Sequence, residues 1–164
     1  MTEPRGQWNV ERAIVGRWRE AGLDDRFRAE WDDPSNARYE PLNDAEARPT
    51  PPGPYCVYNL GVPRRTSAMS GKTADTTIEV SAVALEFRVH AVTSGRESGK
   101  SRAARLAAYV AEAFDPATPL EICGDSWIQT SRTADNALRL GDDEWVWVLI
   151  FEITFEATYA VRPS

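Results

Sequence analysis

Histidine and cysteine are nearly missing. One histidine, His90, and two cysteines, Cys56 and Cys123, occur in 164 residues. A zinc site needs about four convergent ligands, which three scattered residues do not supply. A Ser-His-Asp triad would have to recruit His90, and no Gly-x-Ser-x-Gly elbow offers it a nucleophile. Two cysteines build no disulfide framework. With no Asn-x-Ser/Thr acceptor either, a reducing interior is expected. An excess of positive charge is also missing. Against 19 Lys+Arg stand 25 Asp+Glu, a net −6, with a pI near 4.9. That balance excludes a chain coating nucleic acid over its whole surface. Long apolar runs are lacking as well: the longest uncharged one, Trp145 to Phe151, falls far short of the ~20 residues of a membrane helix. Met1-Thr2-Glu3-Pro4-Arg5 carries no basic-then-apolar leader pattern, so no export is expected.

What is present is ordinary globular usage, 42% hydrophobic and 27% charged. The length fits a single domain over residues 1–164. Val10, Ala13, Ile14, Trp18 and Ala21 recur at helical spacing, which predicts a helix over 8–23 with Asn9 as N-cap, Gly22 as stop and Trp18 as core anchor. Residues 24–54 read as an irregular, Pro-rich connection, with room for a short helix around Arg26 to Trp31. The sheet-and-helix core is placed over 55–161. Tyr55 to Leu60 reads as a short strand, and 61–76 as a mobile polar loop. Thr77 to Val92 is a long strand whose apolar parity changes near residue 82, which predicts a bulge or burial on both faces there. Ser101 to Phe114 is a helix with Ala103, Leu106, Ala107, Val110 and Phe114 on its apolar stripe, and Lys100 and Arg102 are expected on its exposed side. Leu120 to Thr130 is a weaker strand broken at Gly124, and 133–144 read as a turn-rich connection.

From Trp145 to Val161 every odd position is apolar. Even positions are apolar up to Ile150 and polar at Glu152, Thr154, Glu156 and Thr158. The first half is therefore expected to be buried on both faces and the second half on one. At ~3.3 Å per residue such a strand spans roughly 56 Å, so it must bend or pair beyond its own sheet. The sum is an α+β fold: a mainly antiparallel sheet backed by two helices, with a long C-terminal strand and extended loops.

One motif invites a nucleotide. Gly95-Arg96-Glu97-Ser98-Gly99-Lys100-Ser101 follows a strand and opens a helix, the setting of a phosphate-binding loop. It is one residue short, which shrinks the backbone nest that must wrap the phosphates. A nucleotide-binding enzyme is the remote alternative. The plain reading is a polar loop with Ser98 or Ser101 capping the helix.

Charge is unevenly spread. Residues 62–76 sum to +2, 96–105 to +3 and 112–156 to −8. Segregation of this kind fits a basic and an acidic face that meet head to tail between identical subunits. The candidate subunit or lumen contacts are Arg64, Arg65, Lys72, Arg96, Lys100 and Arg102.

The order of elements carries a resemblance. An N-terminal helix leads to Pro54-Tyr55-Cys56-Val57-Tyr58. The strand Val83 to Val92 then runs into the small-residue helix Ala103-Ala104-Arg105-Leu106-Ala107-Ala108-Tyr109-Val110, and a Trp/Phe-rich strand follows late in the chain. Over roughly residues 8–160 this resembles the tail terminator (tail completion) proteins of long-tailed bacteriophages. The resemblance implies a non-enzymatic virion protein, assembled in the host cytoplasm, without cofactor or metal. It implies a hexameric ring on the tail tube that ends tube polymerisation and joins the tail to the neck. Its partners would be the tail-tube protein and a neck or head-closure protein, with DNA passing through the lumen and no membrane. Another neck or head-closure connector, or a small monomeric module whose 152–161 strip docks a partner, are the alternatives.

Overall fold

In the computed structural model, the described residues are 7–46, 51–65, 71–72, 76–115, 119–122 and 125–160. Helix α1 spans Gln7–Glu20 and buries Val10, Ala13, Ile14 and Trp18. Gly22, at φ +68°, reverses the chain after it, a conformation costly for any residue with a Cβ. Helix α2, Leu23–Arg28, follows at once and buries Leu23 and Phe27. The Trp18 indole donates to Asp24 Oδ1 at 2.8 Å, which ties the two helices. Asn9 does not cap α1: it lies inside the helix, buried, and its Oδ1 has no hydrogen-bond partner. The stretch expected to be irregular also contains strand β1, Leu42–Asp44, parallel to β2, Tyr55–Leu60.

The sheet has seven strands, five of them in the order β1-β2-β5 (Thr76–Val92)-β7 (Glu144–Ala160)-β6 (Asp125–Arg139). The two-residue strands β3, Arg64–Arg65, and β4, Gly71–Lys72, pair with β5, Thr76–Val92. The loop expected over 61–76 is thus partly strand, and residues 66–70 and 73–75 lie outside the described residues. All pairings except β1 with β2 are antiparallel. Helix α3, Gly99–Ala113, crosses between β5 and β6, Asp125–Arg139. Strand β7 runs from Glu144 to Ala160.

Three helices rather than two back the sheet; of the two readings of the parity change near residue 82, burial on both faces holds and the bulge does not, and the turn-rich connection changes. First, β5 and β7 pair without interruption from Thr76↔Ala160 to Val92↔Glu144, so β5 has no bulge against β7. The parity change near residue 82 is a change of buried face, with Val80 and Val83 both buried. Second, the turn-rich connection is β6 itself, which continues to Arg139. Backbone bonds to β7 hold it, with register shifts between Trp127 and Gln129 and between Arg132 and Ala134. Nearly every residue from Arg132 to Leu140 is exposed, so no alternation of apolar and polar residues marks the strand.

The length of β7 is resolved inside the sheet. It pairs with β5 on one side and β6 on the other, so it is a central strand. Leu149, Phe151, Ile153 and Phe155 face the helices, while Val146 and Val148 are buried from the opposite side. Phe87, Phe114 and Phe151 meet with ring centroids 4.9–6.0 Å apart, and Trp18 joins them at 6.1 Å from Phe87. These are favourable tilted and edge contacts.

Candidate functional site

The six candidate cations lie on β3, on β4, in the turn before α3 and on α3. Arg64 and Arg65 sit on β3 with exposed side chains. Arg64 lies 3.8 Å from Glu152 and Arg65 3.7 Å from Glu79. Lys72 is on β4, opposite Thr77. Arg96 is exposed in the turn between β5 and α3, and Lys100 is exposed on α3 with its Nζ over the Trp145 ring at 5.2 Å.

Arg102 is different, and its expected exposure is overturned. Its side chain is only 8% exposed. Nη1 donates to the Val92 carbonyl at 2.7 Å, Nη2 to the Glu30 carbonyl at 3.2 Å and Nε to Glu30 Oε1 at 3.3 Å. The guanidinium pins the end of α2 to the end of β5 and takes no part in a surface. Arg105, one turn on, donates to the same Glu30 oxygen at 2.6 Å and pairs with Glu97. Its guanidinium holds the Glu97 carboxyl below the usual carboxylate range. The burial of Arg102 was readable in principle, because positions 99, 102, 103, 106 and 110 share the buried face of α3. An arginine on that face masked the signal.

The glycine-rich loop is closed on itself. Ser94 and Glu97 exchange backbone hydrogen bonds of 3.0 and 3.1 Å around a two-residue turn, with Gly95 at φ +60°. The Gly99 amide donates to Thr93 Oγ1 at 3.0 Å, and the Ser101 amide to Ser98 Oγ at 3.2 Å, so Ser98 is the cap. The Gly99 and Ser101 amides, at the helix start where a phosphate would sit, already have side-chain partners. Gly99 has a packing role: a Cβ there would lie 2.8 Å from the Asp143 carbonyl oxygen and 2.9 Å from that of Ala91.

The helices lie on one face of the sheet; the other carries a row of groups at the β6–β7 turn. Tyr55 stacks on His90 with centroids 4.6 Å apart and planes 4° from parallel. His90 Nδ1 is 3.3 Å from Glu144 Oε1. Burial lowers the imidazole below its ordinary value, and Arg88 adds to this, against the opposing pull of Glu144. Burial raises the Tyr55 phenol, with Glu144 adding to it. Across the ladder Val146 stands between His90 and Leu138, and Glu144 pairs with Val92 and accepts from the Leu140 amide at 3.0 Å. Val92, Leu138 and Leu140 are 47%, 45% and 58% exposed. Among the described residues no strand pairs with the outer edge of β6.

The described residues hold no group of three or more His, Cys, Asp or Glu placed to bind a metal. None of their helices is long and apolar enough to cross a membrane. Burial pushes the Cys56 thiol well up, away from reactivity; Cys123 lies outside the described residues. A polar cavity of about 500 Å³ runs along α1, lined by Asn9, Arg12, Gly16, Arg17, Glu20 and Glu121 among others.

No known family profile matches this chain, and no curated protein matches it. Among solved structures, a chain of the virion of a native gene transfer agent particle is similar at 20% identity, over 71% of this chain and 79% of that one, with a TM-score of 0.47. A second solved chain, described only by a sequence identifier, is similar at 17% identity with a TM-score of 0.52. That likeness covers 98% of this chain and 100% of the other, and it shows a common fold alone.

Proposed function

We propose that this chain is a virion structural protein of a phage-like particle. In this reading it is a tail terminator that forms a ring, a hexamer by the resemblance, at the head-proximal end of the tail tube. The ring ends tube polymerisation and joins the tail to the neck. The observation that carries the reading is the outer edge of β6, fifteen residues long and without a partner strand among those described. Chains that work alone keep edge strands short, charged inward or covered. A long open edge offers a row of backbone donors and acceptors to a neighbouring subunit. The place first expected for such pairing, β7, is occupied on both sides; the open edge lies one strand further out. The monomeric-module alternative loses its support for the same reason, because Ile153 and Phe155 are buried in the core. The chain acts as a single domain and not as an enzyme. Arg64, Arg65, Lys72, Arg96 and Lys100 stay as subunit or lumen contacts, and Arg102 does not.

The test is to mix the purified chain with tail tubes of the parent particle and image them by negative stain. Caps at one end of each tube, with tube lengths fixed after addition, are the expected result. Tubes that keep growing, with no density at either end, would overturn the reading.

A further inference from the structure

We propose that two corners of the sheet join this chain to a second copy of itself, head to tail. The inference rests on the assembly reading above and gives it a contact surface. The first corner is apolar and acidic. Leu138, Leu140 and Val92 stand exposed on the uncovered face, and Asp142, Asp143 and Glu144 form the turn beside them. Arg139 reaches Asp142 only at 3.8 Å and donates to the Gly141 and Asp142 carbonyls, and Lys100 stands over the Trp145 ring beside the same turn, so three carboxylates face two cations. The second corner is apolar and basic. Val62, at 78% the most exposed of the large hydrophobic residues in the described chain, lies two residues before Arg64.

The two corners are complementary in both respects. An exposed valine two residues from an exposed arginine fits a leucine pair beside carboxylates. The pair that Arg64 makes with Glu152 is long, at 3.8 Å, and solvent-exposed. Such pairs contribute little and are readily exchanged for new partners. Nucleic acid would meet the basic corner favourably, but it supplies no apolar surface for Val62, and the acidic corner repels it. Further copies of this chain satisfy both corners, one neighbour at each.

The geometry sets the kind of assembly. Arg64 pairs at Ala82 and the acidic corner adjoins Val92, ten residues along β5. At ~3.3 Å per residue that is about 33 Å along the strands, and three strand spacings of ~4.8 Å add about 14 Å across them. A two-fold dimer would set each corner against the partner's opposite corner and leave none free, whereas a head-to-tail contact uses one corner of each copy and leaves the other for the next. The ring of the assembly reading calls for the second, heterologous contact, which closes when the rotation between copies allows it.

Two variants and their mixture test this by sedimentation and native mass. Leu138→Asp/Leu140→Asp spoils the acidic corner, and Val62→Asp/Arg64→Glu the basic one. All four positions are exposed, so thermal unfolding should match the native chain. Each variant alone should self-associate about 30-fold more weakly, the ratio that one central contact residue typically carries. Mixed in equal amounts, they should stop at heterodimers, because each retains one good corner of opposite kind. Variants that form the same rings as the native chain overturn the interface while leaving the tube-capping reading standing. A native chain that stays monomeric but caps tubes also overturns it. A native chain that neither associates nor caps overturns both. A monomeric native chain that retards duplex DNA, with retardation lost in Val62→Asp/Arg64→Glu, assigns the basic corner to nucleic acid and overturns the proposal.

Discussion

Arg102→Met should destabilise the fold, whereas Lys100→Ala, two residues away, should leave it nearly unchanged. Methionine keeps much of the arginine stem and removes its donors. Three hydrogen bonds disappear, to the Val92 carbonyl, the Glu30 carbonyl and the Glu30 carboxylate. Removing one partner of a buried ion pair costs about 3–5 kcal/mol, chiefly because the other charge is stranded. Here Glu30 keeps Arg105 at 2.6 Å and is itself 19% exposed, so it is not stranded. The two carbonyls do lose a charged donor, at about 1.5 kcal/mol or more each. The expected loss is therefore about 3 kcal/mol, the low end of the range. Lys100 offers only an ammonium over Trp145 at 5.2 Å from an exposed position, about 0.5 kcal/mol. Urea unfolding followed by tryptophan fluorescence measures both. With a slope of about 2 kcal/mol per molar, the Arg102→Met midpoint should fall by about 1.5 M. A shift under about 0.3 M would refute the account of Arg102 as an internal pin and return its side chain to the surface.

Three further outcomes follow from the same geometry. Gly99→Ala places a methyl against the carbonyls of Asp143 and Ala91, both backbone, and should cost about 2–3 kcal/mol in the same urea assay. Ser98→Ala removes the cap of α3 and should cost about 1 kcal/mol, without changing the affinity for any nucleotide in a titration. For His90 the folded-state pKa is lowered, so the unfolded chain takes up the proton first as pH falls. Its contribution to stability is complete above the ordinary value of 6.5 and declines as pH drops from there through the lower folded value. Unfolding curves near pH 7 and near pH 5 should differ less in His90→Gln than in the native chain.

The parts of the fold visible in the sequence are those whose burial is written in their own apolar spacing. β2 ends where its residues predict, at Tyr55 and Leu60. α3 buries the predicted stripe of Ala103, Leu106, Ala107, Val110 and Phe114. β7 shows two-face burial giving way to one face past Ile150, as its odd and even positions predict. What stayed hidden depends on partners far along the chain. The second half of β6 has no apolar face of its own, and only the neighbouring β7 makes it a strand. β1 is three residues long and has no periodicity to detect. Of the candidate contacts, Arg64, Arg65, Arg96 and Lys100 are exposed, as their charge leads one to expect. Arg102 is not: its spacing puts it on the buried face of α3, and the Val92 and Glu30 carbonyls that take its donors lie far off in the chain, where no local pattern shows them.

The position of β7 bears on how the molecule is made. Along the chain, β5 is synthesised well before the strand that pairs with it over all seventeen residues. Until β7 leaves the ribosome, β5 presents that whole flank to solvent, and Phe87 and Leu85 lack the aromatic and aliphatic partners that Phe151 and Leu149 bring. β6 emerges before β7 as well, with nothing yet to pair to. The sheet is therefore completed last, when β6 and β7, consecutive and antiparallel, dock through β7 on the waiting flank of β5. Synthesis that stalls before residue 144 should leave an aggregation-prone fragment and no native subdomain.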